Sequence, residues 1–145
     1  KSFGYDNEVL IEEFLDGKEV SVGVMYFQNE IKVFGISEIV SKNDFFDYEA
    51  KYEGNHEVIS PARLNNQQKL NVEKASKNLY KKLKMTGFSR SDFIFIGDEP
   101  YLLEINSIPG MTEESIFPKQ DKMNGISLEN LFTYILDDTL TKFEK

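Results

Sequence analysis

Glu104 and Asn106 are the residues whose type and spacing point most directly to chemistry. They close the apolar run Tyr101-Leu102-Leu103-Glu104-Ile105-Asn106, which leads straight into Ser107-Ile108-Pro109-Gly110-Met111-Thr112. Side chains alternate across a pleated strand, so Glu104 and Asn106 share one face while Leu103 and Ile105 take the other. A carboxylate beside an amide oxygen, next to a Pro-Gly turn, suits a hard cation such as Mg²⁺. A carboxylate buried there without a partner would be costly. Upstream, Asp92-Phe93-Ile94-Phe95-Ile96 forms a β-hairpin with Tyr101–Ile105 through Gly97-Asp98-Glu99-Pro100. Opposed residues share a face, so Asp92 joins Glu104 and Asn106 only if the turn holds an odd number of residues. A three- or five-residue turn meets that condition and a four-residue turn does not. With the right parity the three make an all-oxygen cluster that holds Mg²⁺ against substrate phosphates. With the wrong parity Asp92 only begins a strand and Glu104 sits on a solvated face.

Other candidates flank this cluster. Arg90 lies two residues before Asp92 and projects to the same side, where a guanidinium can offset charge on a phosphoryl group or an oxyanion. A surface salt bridge is the competing use of such an Arg. Gly110 lets the backbone approach a ligand or turn sharply. Thr112 followed by Glu113 and Glu114 reads as the start of a short helix, whose free N–H groups favour an anion, or else as an ordinary capped turn. Lys51-Tyr52 stands in a long polar run where a cation and a phenol can close over a bound nucleotide. Glu12, Glu13 and Glu19 mark strand ends and either meet a ribose hydroxyl or are simply solvated. His56 is the only histidine and there is no cysteine, which leaves thiolate zinc sites excluded and a Ser–His–Asp hydrolase poorly supported.

The elements that must position these groups follow from patterning. Val9-Leu10-Ile11 reads as a buried strand, Glu19–Tyr26 as an alternating one after an Asp16-Gly17 turn, and Glu30–Ile39 as a third, in an antiparallel meander. Residues 41–63 break the pattern and read as a long loop, uncommon in a compact domain unless it covers a site. Asn65 or Asn66 caps a helix to about Met85, with Val72, Ala75, Ser76, Leu79, Tyr80 and Leu83 on one face and Gly87 as the stop. A second helix starts at Ser127 and buries Leu128, Leu131, Phe132, Ile135 and Phe143. At 145 residues, with 12 Phe and 7 Tyr, the chain suffices for one domain with a real core. Its net charge of −8 argues against nucleic-acid or membrane-surface binding, which need clustered Lys and Arg. The absence of cysteine is compatible with a reducing compartment, and no apolar run is long enough to span a membrane. The opening Lys1-Ser2-Phe3-Gly4-Tyr5-Asp6 is neither a signal peptide nor a natural start, so a fragment of a longer protein is expected.

Assembled in order, these segments resemble the C-terminal part of the D-alanine–D-alanine ligases, a family of the ATP-grasp superfamily. The resemblance rests on Val9-Leu10-Ile11-Glu12 with Gly17-Lys18-Glu19, on Phe46-Asp47-Tyr48-Glu49-Ala50-Lys51-Tyr52, and on Pro61-Ala62. Gly87-Phe88-Ser89-Arg90-Ser91-Asp92 and Tyr101 through Thr112 complete it. It implies an α+β ATP-grasp C-terminal domain over residues 15–145. The implied architecture is an antiparallel sheet with helices mainly on one side and an omega-type active-site loop over about 41–63. Residues 1–14 would be the last strand of the central domain, and the N-terminal domain would be absent.

The resemblance also implies roles. Asp92, Glu104 and Asn106 would hold two Mg²⁺ ions, or Mn²⁺ in their place. Arg90 and the Gly110 N–H would offset charge on the acyl phosphate and the tetrahedral intermediate. Ser115 and the Ile116 N–H would take the acceptor carboxylate, and Tyr52 would favour D-alanine as acceptor. Glu12, Glu13, Leu15, Glu19 and Lys51 would meet ATP. The implied partners are ATP, D-alanine, the missing N-terminal and central domains, and a second copy in a full-length homodimer. The implied setting is peptidoglycan synthesis in a bacterial cytoplasm, with the fragment inactive alone. Two readings compete: a sibling carboxylate–amine ligase, which would differ at Lys51-Tyr52 and Met111–Ile116, and a non-catalytic metal- or nucleotide-binding module. A native reading frame of roughly 300 to 350 residues fits the ligase.

Overall fold

A computed structural model describes residues 2–41, 56–112, 115–123 and 125–143. Five antiparallel strands form one sheet in the order β3-β2-β1-β4-β5. They are β1 (Lys18–Phe27), β2 (Glu30–Ser41), β3 (His56–Ile59), β4 (Phe88–Ile96) and β5 (Glu99–Asn106). The helices are α1 (Asn66–Lys82), α2 (Ile116–Met123) and α3 (Leu128–Phe143). Strand β1 is central because it is apolar or small on both faces, and every residue from Val20 to Met25 is buried.

The α+β class stands, but the helices divide between the two faces rather than gathering on one. Val20, Val22, Val24, Ile36, Phe93 and Phe95 meet Val72 and Tyr80 of α1 on the first face. Met25 and Phe34 meet Phe117 of α2 and Leu131 of α3 on the second. The pleat explains this division: the residues between the β1 valines are Ser21 and Gly23, small enough for a helix to lie directly on them. A bulge between Gly23 and Val24 leaves Phe34 as the extra residue of β2, and its ring packs at the second core.

Several expected elements move. Val9-Leu10-Ile11 forms no strand: residues 8–16 are irregular, with Leu10 81% and Ile11 87% exposed. No described strand lies beside that stretch, and an isolated strand has no partner for its backbone groups. Of the loop expected over 41–63, residues 42–55 lie outside the described residues, and His56–Ile59 is a strand paired with the far end of β2. Helix α1 begins as expected, with Asn65 and Gln68 in a reciprocal capping box. It stops before Gly87: Leu83 caps it and Lys84 takes a left-handed φ of 51°. Leu83 is exposed, whereas Tyr80 bonds the Gly87 carbonyl (2.6 Å) and accepts from the Tyr26 N–H (3.2 Å). Burial pushes the Tyr80 phenol up from its ordinary value. Ser127 caps α3 as expected; Leu131 is fully buried, Leu128 and Ile135 are half-buried, and Phe132 is exposed. No described helix is long and apolar enough to cross a membrane.

Candidate functional site

The cluster forms, by a route the turn length alone does not provide. Ile96 pairs with Glu99, so the turn holds only Gly97 and Asp98, an even number. Continued unbroken, that ladder would set Asp92 against Leu103. Instead the register shifts between Asp92 and Phe93, so that Phe93 pairs with Leu102 and Asp92 with Glu104. Leu103 is the extra residue of a β-bulge, and it supplies the odd count that parity demands. Arg90 then pairs with Asn106, and all four polar residues share a face.

On that face Arg90 grips Asp92 with both prongs of its guanidinium, Nε to Oδ1 at 3.1 Å and Nη2 to Oδ2 at 2.9 Å. The same Nη2 stands 3.6 Å from Glu104 Oε1, and the Asn106 amide N–H donates to that oxygen at 3.2 Å. Ser21 on β1 is the Cα partner of Asp92, and its hydroxyl donates to Asp92 Oδ1 at 2.6 Å. Burial grades across the site: the side chains of Asp92, Arg90 and Glu104 are 12%, 18% and 45% exposed. A carboxylate as enclosed as Asp92 needs such partners, since removing one from a buried pair leaves an uncompensated charge.

The oxygen-only donors of Asp92, Glu104 and Asn106, open on one side at Glu104, fit a hard divalent cation. Among the described residues no group of three His, Cys, Asp or Glu stands close enough to hold a metal, so the amide of Asn106 has to complete the set. Glu19 lies two residues before Ser21 on β1, half-buried and on the same face. Leu15 is half-buried, and Glu12 and Glu13 are exposed on the irregular stretch. Lys51 and Tyr52 lie outside the described residues.

A second group gathers after β5. Pro109 is buried, and a Cβ on Gly110 would come within 2.9 Å of Ser115 Oγ, so glycine lets the two approach. The Ser115 hydroxyl stands 2.8 Å from Thr112 Oγ1, its N–H donates to Thr112 O at 2.8 Å, and its carbonyl accepts from Lys119 N at 3.3 Å. Ser115 therefore sits at the N-terminal cap of α2, with Ile116 as the first helical residue. Helix N–H groups without intrahelical partners, the Ile116 N–H among them, make this end attractive to a carboxylate.

Residue reading missed Ser21 and Gln120. The signal for Ser21 was available, because a polar residue alternating with valines on a central strand has to face something polar. For Gln120 there was only a polar residue three positions from Phe117 on a short helix, which is weak. A cleft of about 450 Å³ between β2, Pro61–Leu64 and α1 is lined by none of the cluster residues. The cluster itself lies on an open sheet face.

The family described as "D-ala D-ala ligase C-terminus" matches residues 1–137. This chain belongs to that family. It is 57% identical over 135 residues to the D-alanine–D-alanine ligase of Flavobacterium johnsoniae, covering 93% of this chain and 42% of that protein. It is 43% identical to the ligase of Christiangramia forsetii, covering 97% and 43%. Among solved structures, the D-alanine–D-alanine ligase of Bacillus anthracis superposes with a TM-score of 0.75 at 31% identity, over 92% of this chain and 43% of that one. The VanG D-Ala:D-Ser ligase of Enterococcus faecalis does so with a TM-score of 0.73 at 31% identity, over 86% and 37%. The chain thus spans about two-fifths of the length of the family members it matches.

Proposed function

We propose that this chain is the C-terminal part of an ATP-dependent ligase that joins two D-alanines for peptidoglycan synthesis in the bacterial cytoplasm. Residues 15–145 would form the C-terminal ATP-grasp domain and residues 1–14 the end of the central one. The observation that carries the reading is the shared face of Arg90, Asp92, Glu104 and Asn106, in a chain of this family. Asp92, Glu104 and Asn106 would hold the divalent cations, two Mg²⁺ with Mn²⁺ as a substitute. When bound, those ions neutralise the phosphate oxygens of ATP and draw charge from the transferring phosphoryl group.

The chain's own groups do the rest. Arg90, which stands on the same face, would offset charge on the oxyanion of the acyl phosphate and of the tetrahedral intermediate. The Gly110 N–H donates to the same oxyanion. Ser115 and the Ile116 N–H hold the acceptor's carboxylate, which orients its amine for attack on the acyl phosphate. Glu12, Glu13, Leu15, Glu19 and Lys51 would serve the nucleotide, and Tyr52 would favour D-alanine as acceptor. At full length the protein acts as a homodimer with its N-terminal and central domains in place.

Because the likeness to the D-Ala:D-Ser ligase has nearly the same TM-score, D-serine is the alternative acceptor. The test is phosphate release from ATP by the full-length protein, with Mg²⁺ and either D-alanine alone or D-alanine plus D-serine. Release that needs D-alanine and gains nothing from D-serine is expected. Release only when D-serine is added would move the assignment to the sibling ligase, and none with either would overturn it.

A further inference from the structure

Gln120 is among the largest fully buried side chains of the molecule, and two glycines make room for it. Gly23 and Gly35 pair across β1 and β2. A Cβ on Gly23 would fall 2.3 Å from Gln120 Oε1, and one on Gly35 would fall 2.7 Å from both Gln120 Cβ and Cγ. The slot between the strands is thus filled chiefly by Gln120 of α2, with the Phe117 ring beside it at Gly23. The Gln120 amide Nε2 donates to the Ser21 carbonyl at 3.0 Å and to Ser37 Oγ at 2.9 Å, which satisfies both donors of the buried amide.

Ser21 is the junction. Its carbonyl accepts from Gln120, while its hydroxyl donates to Asp92. One step along β1, the Gly23 position lies against the Phe117 ring of α2, and Gly23 is the Cα partner of Arg90. Helix α2 lies chiefly over β2 and reaches β1 at Ser21 and Gly23, the two residues that stand directly beside Asp92 and Arg90. It is also the helix whose first turn carries Ser115 and Ile116.

We propose that Gln120 is a positioning residue for the acceptor. It locks α2 against β1, so that the Ser115–Ile116 end presents the acceptor's carboxylate at a fixed place relative to Asp92 and Arg90. The proposal rests on the ligase reading above. Gln120 touches no reacting atom, so its signature is selectivity. A helix that slides misplaces the acceptor, while ATP and the first D-alanine stay where the sheet and the other contacts put them.

The test is steady-state kinetics of the full-length protein carrying Gln120→Met, which keeps the volume and removes both N–H donors. A displacement near 1 Å can cost about 100-fold, so a partial slip should lower kcat/KM for the acceptor about ten-fold, with a raised acceptor KM and an ATP KM within about two-fold of wild type. The two D-alanine constants separate when rate is followed over a wide concentration range. A lowered Tm with unchanged acceptor KM, or an equal rise in every KM, would overturn the proposal. If Gln120→Met does not fold, the pair Gly23→Ala with Gln120→Ala refills the slot from the strand side and should show the same selective rise. A wild-type protein that makes no dipeptide would defeat the ligase reading and this proposal together. An active wild type whose two variants both keep the acceptor KM would defeat only the role of Gln120.

Discussion

Arg90 touches both oxygens of Asp92 and reaches toward Glu104, so one guanidinium balances two carboxylates on a partly buried face. That geometry needs the planar fork, which a lysine ammonium does not have. Arg90→Lys should retain the fold, because a cation still faces Asp92. It should cost turnover, because a point charge cannot track an oxyanion as the fork does. A fall in kcat of about 100-fold with little change in the ATP KM is expected in steady-state assays of the full-length protein. An unchanged kcat would show that Arg90 is only a structural counter-ion. At this scale the sequence was informative about the residues that project from β4 and β5, because period-two alternation decides their side. It was silent about the Leu103 bulge, since nothing in Leu102-Leu103 distinguishes an extra residue from a paired one. The parity condition could be stated from the sequence, but how the chain meets it could not.

Among the elements, the far end of β2 is held by charge. Glu38 is nearly buried on the α1 face and receives Arg63 Nη2 at 2.6 Å, Nε at 2.9 Å and the Arg63 N–H at 3.2 Å, with Lys18 Nζ 3.6 Å away. Lys18 Nζ also donates to the Arg63 carbonyl. Hydrogen bonding to the Arg63 side chain is the main cause that holds the Glu38 carboxyl below the ordinary glutamate range, against the opposing effect of burial. A carboxyl depressed in the folded state stabilises above its unfolded pKa, and that contribution is lost as pH falls through the lowered folded value. Thermal melts should therefore show the wild type losing Tm on acidification below the ordinary glutamate value. Glu38→Gln should start lower at pH 7 and fall less steeply in acid. Parallel Tm curves for the two proteins would refute this assignment. The elements themselves were legible where local signals act: the Asn65 capping box and the Ser127 cap lie where the side chains called for them. Val9–Ile11 misled because an apolar run records the wish to be buried and not the partner that buries it. The split of helices between two faces was hidden for a related reason. Ser21 and Gly23 look like weak strand residues until Phe117 and Gln120 are seen against them.

The described residues form a three-layer unit whose candidate site spans β4 and the edge strand β5, where Tyr101, Leu102 and Leu103 are half-exposed. Its two cores and its site share strand β1: the valines build the first core, Met25 joins the second, and Ser21 supports Asp92. Composition set outer bounds only: a net charge of −8 argues against nucleic-acid binding, and the absence of cysteine excludes thiolate zinc sites. The grouping of Asp92, Arg90, Glu104 and Asn106 was legible because they lie on two neighbouring strands, where spacing carries meaning. Contacts between distant segments, such as Gln120 with Ser21, have no such local trace. The central claim is that the carboxylate face of this family member holds the metal for D-alanine ligation. The most direct measurement is mass spectrometry of the products formed by the full-length protein from ATP, Mg²⁺ and D-alanine, with Glu104→Gln run beside it. A D-alanyl-D-alanine peak from the wild type that disappears in Glu104→Gln is predicted, and a peak that survives the substitution undiminished would contradict the account.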